Sequence, residues 1–265
     1  LIVLIDADSL CYANAFAVQE KDDEGNIFVV EDGIKFLKAK LNKSIASIIE
    51  ETDADDYKVF LTGKSNYRDD VTSTYKANRV GMNRPILLPE AREFLVDRHD
   101  AIVVEGMEAD DAVCIEQTYC LKNELDSCIA GIDKDLDQQE GLHFRWALFS
   151  KPCVLYTISK WDGLLNLYRQ ALVGDKVDNI MYYHDKEGSG TFKKDYGLGL
   201  KTAERMFSNC IEEKDVYEDV LSCYLNHPKF IKKSTGKQCT EEDLHMNMQL
   251  LYMKRTMDDE WSIPL

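Results

Sequence analysis

Glu108, Asp110 and Asp111 crowd into a short stretch where the apolar run Ala101-Ile102-Val103-Val104 gives way, after Glu105-Gly106, to a helical pattern. Carboxylates at the start of a helix meet the partial positive charge of its end, so plain helix capping would account for these three. Glu108 and Asp111, three apart, share a face, while Asp110 points elsewhere. Further acids stand in the same kind of place. Asp6 follows Leu1-Ile2-Val3-Leu4-Ile5, Asp133 and Asp135 follow Ser127-Cys128-Ile129-Ala130-Gly131-Ile132, and Asp175 and Asp178 lie three apart in Gly174-Asp175-Lys176-Val177-Asp178. Capping alone explains one such position better than it explains four. Drawn into one pocket without cations, these acids would repel and raise one another's pKa. Two hard divalent ions relieve that repulsion, and Mg²⁺ prefers carboxylate oxygens with retained water. A pair of ions about 4 Å apart can activate a water and stabilise both oxygens of a phosphoryl displacement. No His or Cys cluster suggests zinc, no Gly-x-x-x-x-Gly-Lys-Ser/Thr loop suggests an ATPase, and no Gly-x-Ser-x-Gly elbow suggests a serine hydrolase. These residues point to a metal-dependent phosphodiesterase acting on nucleic acid.

Such acids need a scaffold, and the apolar pattern supplies an α/β one. Residues 1–5 read as a strand covered on both faces. Side chains just past the carboxyl end of a central strand line the usual ligand crevice, which makes Asp6 a site candidate; Asp8 or Ser9 reads as the cap of the helix that follows. A polar turn spans 20–26 and an amphipathic helix 33–50, with Ile34, Leu37, Leu41, Ile45 and Ile48 at helical spacing. Strands are expected at 57–61, 101–104 and 127–132, a short helix at 89–97, and a hairpin within 142–158. Helices follow near 161–173, 200–208, 214–225 and 240–254.

The chain has 265 residues, 45% of them apolar, enough for one large domain or a core with a small module. It has no long apolar run to span a membrane and no signal-peptide pattern. Because it opens on Leu1 and not Met, a trimmed N-terminus is expected. Its eight cysteines form no Cys-x-x-Cys pair and read as small core residues in a reducing cytoplasm. The net charge of −16 argues against a generic nucleic-acid coat but not against a nuclease whose bound ions offset local acid.

Basic residues are bunched. Lys64, Arg68, Lys76, Arg79 and Arg84 face only Asp69 and Asp70 in their stretch, and Lys229, Lys232, Lys233 and Lys237 form a second run. If helical, Lys76 and Arg79 put two cations on one face beside Tyr75, which suits a phosphate and a stacked base; a solvated basic loop is the alternative. The turn Gly197-Leu198-Gly199-Leu200-Lys201-Thr202-Ala203 can offer backbone N–H groups and Lys201 to a phosphate, although most Gly-x-Gly turns do nothing of the kind.

These motifs, in their order, resemble the flap endonuclease/5′→3′ exonuclease family, which includes the 5′-nuclease domain of bacterial DNA polymerase I and phage exonucleases. The likeness covers about residues 1–210. It rests on Leu4-Ile5-Asp6-Ala7-Asp8, Asn66-Tyr67-Arg68, Tyr75-Lys76-Ala77-Asn78-Arg79, Met107-Glu108-Ala109-Asp110-Asp111, Asp133-Lys134-Asp135 and Gly174-Asp175-Lys176-Val177-Asp178-Asn179-Ile180. The compact length looks most like the phage enzymes. The resemblance implies a PIN-like α/β core with a mostly parallel central sheet flanked by helices, a helical arch or clamp over about 64–100, and a helix-hairpin-helix at 197–203. It implies a catalytic core over 1–173 and a DNA-binding helical region over 174–265. By resemblance, Glu108, Asp110, Asp133 and Asp135 hold a first metal with Asp6 nearby, and Asp111, Asp175 and Asp178 form the second group or its outer shell. Lys76 and Arg79 grip the scissile phosphate and Tyr75 stacks on the terminal nucleotide, while Arg68 and Lys64 contact DNA. Gly197, Gly199, Lys201 and Thr202 hold duplex backbone, with K⁺ at the hairpin. The cofactor implied is Mg²⁺, two ions, with Mn²⁺ as a substitute. The implied activity is two-metal-ion hydrolysis at DNA 5′ ends, flaps and duplex junctions, by a cytoplasmic monomer alongside a replication polymerase. An RNase acting on RNA–DNA hybrids and a catalytically impaired DNA-junction binder are the alternatives. Two departures stand out. No carboxylate follows the second long strand, which reads Leu61-Thr62-Gly63-Lys64, and residues 181–196 replace a short Pro-Gly connection.

Overall fold

The computed structural model describes residues 1–147, 152–180, 198–232 and 235–264. Gly197 and the 181–196 insertion lie outside the described residues. Two compact units share the chain. One comprises Leu1–Asn66, Met82–Ile158 and Lys254–Met257; the other comprises Tyr67–Gly81, Ser159–Met253 and Asp258–Leu265.

In the first unit a six-stranded sheet has the order β5-β4-β1-β6-β7-β8. Its strands are β1 (Ile2–Asp6), β4 (Asp56–Asn66), β5 (Ile102–Gly106), β6 (Ser127–Ala130), β7 (Gly141–Arg145) and β8 (Val154–Ile158). All neighbours are parallel except β7 and β8, the hairpin expected within 142–158. β1 is central, which is why its sequence is apolar without alternation. Val3 and Ile5 face a core with α1 (Asp8–Phe16), α2 (Gly33–Thr52) and α4 (Leu88–His99), built on Leu10, Leu37, Leu41, Ile45, Leu88 and Leu95. Strand alternation sends Leu4 and Asp6 to the opposite face. There α5 (Ala109–Lys122) lies across β1, β4 and β6. The chain runs outward from β1 to β4 and β5, then returns through α5 to β6 on the far side of β1. The order therefore reverses at β1, and in such sheets ligands bind beyond the carboxyl ends of the strands at the reversal.

The polar turn at 20–26 joins a small antiparallel ribbon, β2 (Gln19–Lys21) and β3 (Ile27–Val29). Strands of three residues are too short to show alternation, so the sequence reads only the turn. Asp8 and Ser9 do not cap α1. Ala7 is the N-cap and makes no side-chain bond, because the Asp8 carboxylate is turned to other partners described below. β4 extends five residues past its apolar stretch, with an irregular register against β5 between Thr62 and Asn66.

The second unit is helical: α3 (Arg68–Val71), α6 (Lys160–Val173), α7 (Leu200–Met206), α8 (Glu213–Asn226) and α9 (Glu241–Leu251). Its core is Tyr168, Leu172, Val216, Val220, Tyr224, Leu244 and Met248, the periodic positions of α6, α8 and α9. Ser159 caps α6 by accepting from the Asp162 amide, and Thr240 caps α9 in a capping box with Asp243. α9 ends at Leu251, short of the 254 expected, because Tyr252 turns extended. Among the described residues no helix is long and apolar enough to cross a membrane.

The stretch that lacks the expected carboxylate lies inside β4, and at Gly63 there is no room for a side chain. A Cβ on Gly63 would stand 2.3 Å from the Val104 carbonyl oxygen of the neighbouring strand. Placing the expected acid there as Gly63→Asp therefore lowers stability by about 2 kcal/mol, read as a lower urea midpoint with an unchanged slope. An unchanged midpoint would show that β5 yields freely at Val104.

Candidate active site

Asp6 ends β1 and is 8% exposed. Burial, followed by the charges of Asp8 and Asp133 and then of Glu108, pushes its carboxyl up to about 8. The four acids therefore share one electrostatic neighbourhood at the strand reversal. Gly131, just past β6, brings that strand end against Asp6: a Cβ there would lie 3.7 Å from the Asp6 Cβ and would collide with Leu136. Beyond it the Asp133 carboxylate accepts the Asp135 amide at 3.0 Å. This local turn also buries Asp135, whose carboxylate takes the Lys134 ammonium at 2.8 Å.

At the head of α5, Glu108 and Asp111 form a capping box, so the capping reading of this acidic trio is correct for two of its members. Asp111 is fully buried. One of its oxygens accepts the Glu108 amide at 3.2 Å and the other accepts the Lys254 amide at 3.1 Å. Its oxygens hold the fold, which fixes Glu108 and Asp110 beside it. Asp110, half-buried, accepts the Asp111 amide at 2.8 Å.

Two residues that sequence reasoning passed over complete this unit's site. Arg92, on α4, is bonded to the Asp8 carboxylate and to the Thr62 carbonyl oxygen. The other Asp8 oxygen accepts the Thr62 amide at 3.1 Å. The fork thus ties α1 to the end of β4 and sets a fixed cation beside the acids. Nothing in the sequence singles Arg92 out, because α4 is a partly exposed helix that carries Arg98 and three acids as well. Glu105 lies where a side chain at position 63 would point. Its carboxylate accepts from the Lys64 and Ser65 amides and the Ser65 hydroxyl, bonds that hold its pKa below the usual range. Lys64 itself is exposed.

The second unit has its own constellation. The Asp175 carboxylate closes a tight turn by accepting the Val177 amide at 2.7 Å and the Asp178 amide at 3.0 Å. Asp178 receives Arg79 at 2.6 Å, Lys76 at 3.7 Å and the Tyr75 hydroxyl at 3.1 Å. Lys76 and Arg79 do not share a face of an α-helix. Lys76 is left-handed, with φ 49°, and opens a three-residue 3-10 turn, Ala77–Arg79. Both cations nevertheless reach one carboxylate. Two expectations are corrected here. Tyr75 is only 6% exposed and belongs to the unit's core, so its ring is not presented to a nucleotide; its hydroxyl positions Asp178. Arg68 has no exposed surface and donates to the Leu250 and Tyr252 carbonyls, each at 2.8 Å, so it ties α3 to the end of α9 and does not reach DNA. Gly199 caps α7, with open space where a Cβ would stand, and Lys201 and Thr202 are exposed on its first turn.

Among the described residues no three His, Cys, Asp or Glu side chains are drawn in closely enough to cage an ion unaided. The donors in both units are carboxylate oxygens, the chemistry of a hard cation. Mg²⁺ usually binds through one or two carboxylates and keeps several waters, so it needs no such cage. Unsatisfied buried oxygens stand in the same sequence neighbourhoods: Ser9 Oγ in the first unit, and Asn78 Oδ1 and Asn179 Oδ1 in the second. The residues present fit a hydrated divalent ion.

The chain matches no protein-family model and no curated protein sequence. It does match solved structures. It is similar to the bacteriophage T5 5′-exonuclease with bound zinc, at 17% identity and a TM-score of 0.58, over 94% of this chain and 88% of that one. It is similar to a variant of the bacteriophage T5 flap endonuclease in a pseudo-enzyme-product complex with DNA and metal ions, at 17% identity, TM-score 0.57 and the same coverage. The fold is therefore that of these nucleases.

A buried carboxylate surrounded by like charges holds its proton in the fold but loses it readily once unfolded, so the raised pKa costs stability progressively from about pH 4, the unfolded carboxyl range, up to about 8, above which the cost is complete. In EDTA at pH 8.5, Asp6→Asn should be more stable than the native chain by more than about 2 kcal/mol, with the gain shrinking steadily below pH 8 and fading only toward about pH 4. Mg²⁺ should raise the native melting temperature more than that of the variant. Equal midpoints in EDTA would remove Asp6 from the repelling cluster.

Proposed function

We propose that this chain is a divalent-metal-dependent 5′ nuclease that hydrolyses phosphodiester bonds at 5′ ends or flaps of DNA. The observation that carries the reading is the burial of Asp6 at the carboxyl end of β1, at the strand reversal, with Asp8, Asp133 and Glu108 near enough to raise its pKa, in a fold shared with flap endonucleases. In the first unit Asp6, Glu108, Asp110, Asp133 and Asp135 are the residues that would hold Mg²⁺, or Mn²⁺ in its place, with Asp111 keeping the α5 end in register. In the second unit Asp175 and Asp178 are the matching acids. When bound, divalent ions would supply charge neutralisation and water activation at the phosphodiester.

The chain's own cations do the rest. Lys76 and Arg79 both reach the Asp178 carboxylate, and the pair is assigned to a phosphate of the substrate. Exposed Lys64, Gly199, Lys201 and Thr202 are assigned to the nucleic-acid backbone, with K⁺ as the ion suited to the 197–203 turn. A second reading, a junction binder that does not cut, draws on Arg92 and Lys134 already compensating Asp8 and Asp135, and on the lack of a ready-made cage among the described residues.

One assay separates these readings: labelled 5′-flap, nicked, blunt and RNA–DNA hybrid substrates, with Mg²⁺ and with EDTA. The nuclease reading expects Mg²⁺-dependent cutting of the DNA flap. Asp133→Asn should lower turnover by about a hundredfold or more while leaving DNA affinity intact, and Lys76→Ala should lower turnover more than affinity. Tight binding without cleavage under any metal would leave the junction binder; faster cutting of the hybrid would make the chain an RNase.

A further inference from the structure

The second lysine run is absorbed by none of these roles. Residues 226–240, between α8 and α9, carry four lysines and neither Asp nor Glu, in a chain where 48 of 265 residues are acidic. At that frequency a window of this length would hold two or three acids. Lys233 lies outside the described residues; Lys229, Lys232 and Lys237 do not.

The described arms of the segment are anchored to α8 and to each other. Phe230, 2% exposed, packs on Tyr224 with ring centres 4.7 Å apart. The Cys239 amide donates to the Phe230 carbonyl, and Ile231 and Gln238 pair as an antiparallel bridge. Gln238 Nε2 donates to the Tyr224 and His227 carbonyls at 2.7 and 3.1 Å, which fastens the return arm to the end of α8. Next along the ladder, the Lys232 amide donates to the Lys237 carbonyl at 2.7 Å, and Gly236, with φ 66°, turns the chain. Lys232 and Lys237 are therefore cross-strand neighbours, an arrangement that costs stability between like charges. Lys232 is compensated by Asp243 at 2.6 Å. The neighbouring acid Glu241 is occupied by Tyr217 and His245. Lys229 and Lys237 are exposed and form no ion pair among the described residues.

We propose that the two described arms of this segment form a nucleic-acid backbone site in which Lys229 and Lys237 each contact a phosphate, while the Lys232–Asp243 pair ties the first arm to α9. The anchored backbone on either side spends little entropy when an anion arrives, and a phosphate gives Lys237, which faces Lys232 across the ladder, a counter-charge of its own. The inference rests on the nucleic-acid reading above and adds a contact remote in sequence from every residue assigned there.

The test is fluorescence anisotropy with a labelled 5′-flap duplex in EDTA, from 50 to 200 mM KCl. The native chain, Lys229→Ala/Lys237→Ala, the conservative Lys229→Arg/Lys237→Arg, and a charge-matched Lys35→Ala/Lys43→Ala on exposed positions of α2 are compared. The alanine pair should make the slope of log affinity against log salt shallower by about 1.8 and weaken binding on the order of tenfold at 100 mM. The arginine pair and the α2 pair should keep the native slope. A native slope in the alanine pair, or an equal loss in the α2 pair, would overturn the proposal while leaving the nuclease reading in place. A native chain that binds no duplex at any salt would overturn both. Selective loss of binding to anionic phospholipid vesicles, with duplex binding unchanged, would also overturn it and make the turn a membrane contact.

Discussion

Like charge held out of water is the constraint on which the first unit depends. Asp6 is buried because β1 is the central strand and strand alternation turns that residue toward α5. Its neighbours are acidic because β6 and α5 deliver their own ends to the same reversal. An apolar sheet could close this crevice with leucine at lower cost. Retaining carboxylates there leaves a local deficit of positive charge, which Arg92 and Lys134 offset only in part. Below about pH 8 a proton on Asp6 relieves part of that cost. The same logic recurs in the second unit, where Asp178 is balanced by Lys76 and Arg79.

Much of this was legible in the chain alone, for identifiable reasons. β1 announced itself through an unbroken apolar run, and Asp6 through its place at the end of that run. α2, α6 and α8 were visible in their apolar period. The shared fold with the T5 nucleases agrees with an ordered set of short motifs, although identity is only 17%. What sequence could not show was tertiary. The apolar period says nothing of a guanidinium fork such as Arg92, whose partners lie 84 and 30 residues away. Arg68 looked like a DNA contact because an arginine after a strand normally seeks solvent; two carbonyls at the end of α9 capture it instead. Tyr75 was placed at a ligand by its basic neighbours, whereas the helical core claimed its ring. Gly63 read as a lost acid, and the neighbouring backbone shows why nothing larger fits there.

Capping and catalysis need not compete for the same acids. Glu108 and Asp111 do what helix-end carboxylates ordinarily do, and that mutual bonding is also what fixes the direction in which Glu108 and Asp110 are presented. The capping of this trio is compatible with the metal-binding role proposed for Glu108 and Asp110.

The Lys254 amide that reaches the Asp111 carboxylate comes from 143 residues downstream. During synthesis, the first unit therefore emerges from the ribosome with the head of α5 still lacking a hydrogen-bond donor. The helical unit must be made, almost to its end, before that donor exists. A nascent chain of this design acquires its final acidic geometry late, because one bond at the head of α5 waits for almost the whole chain.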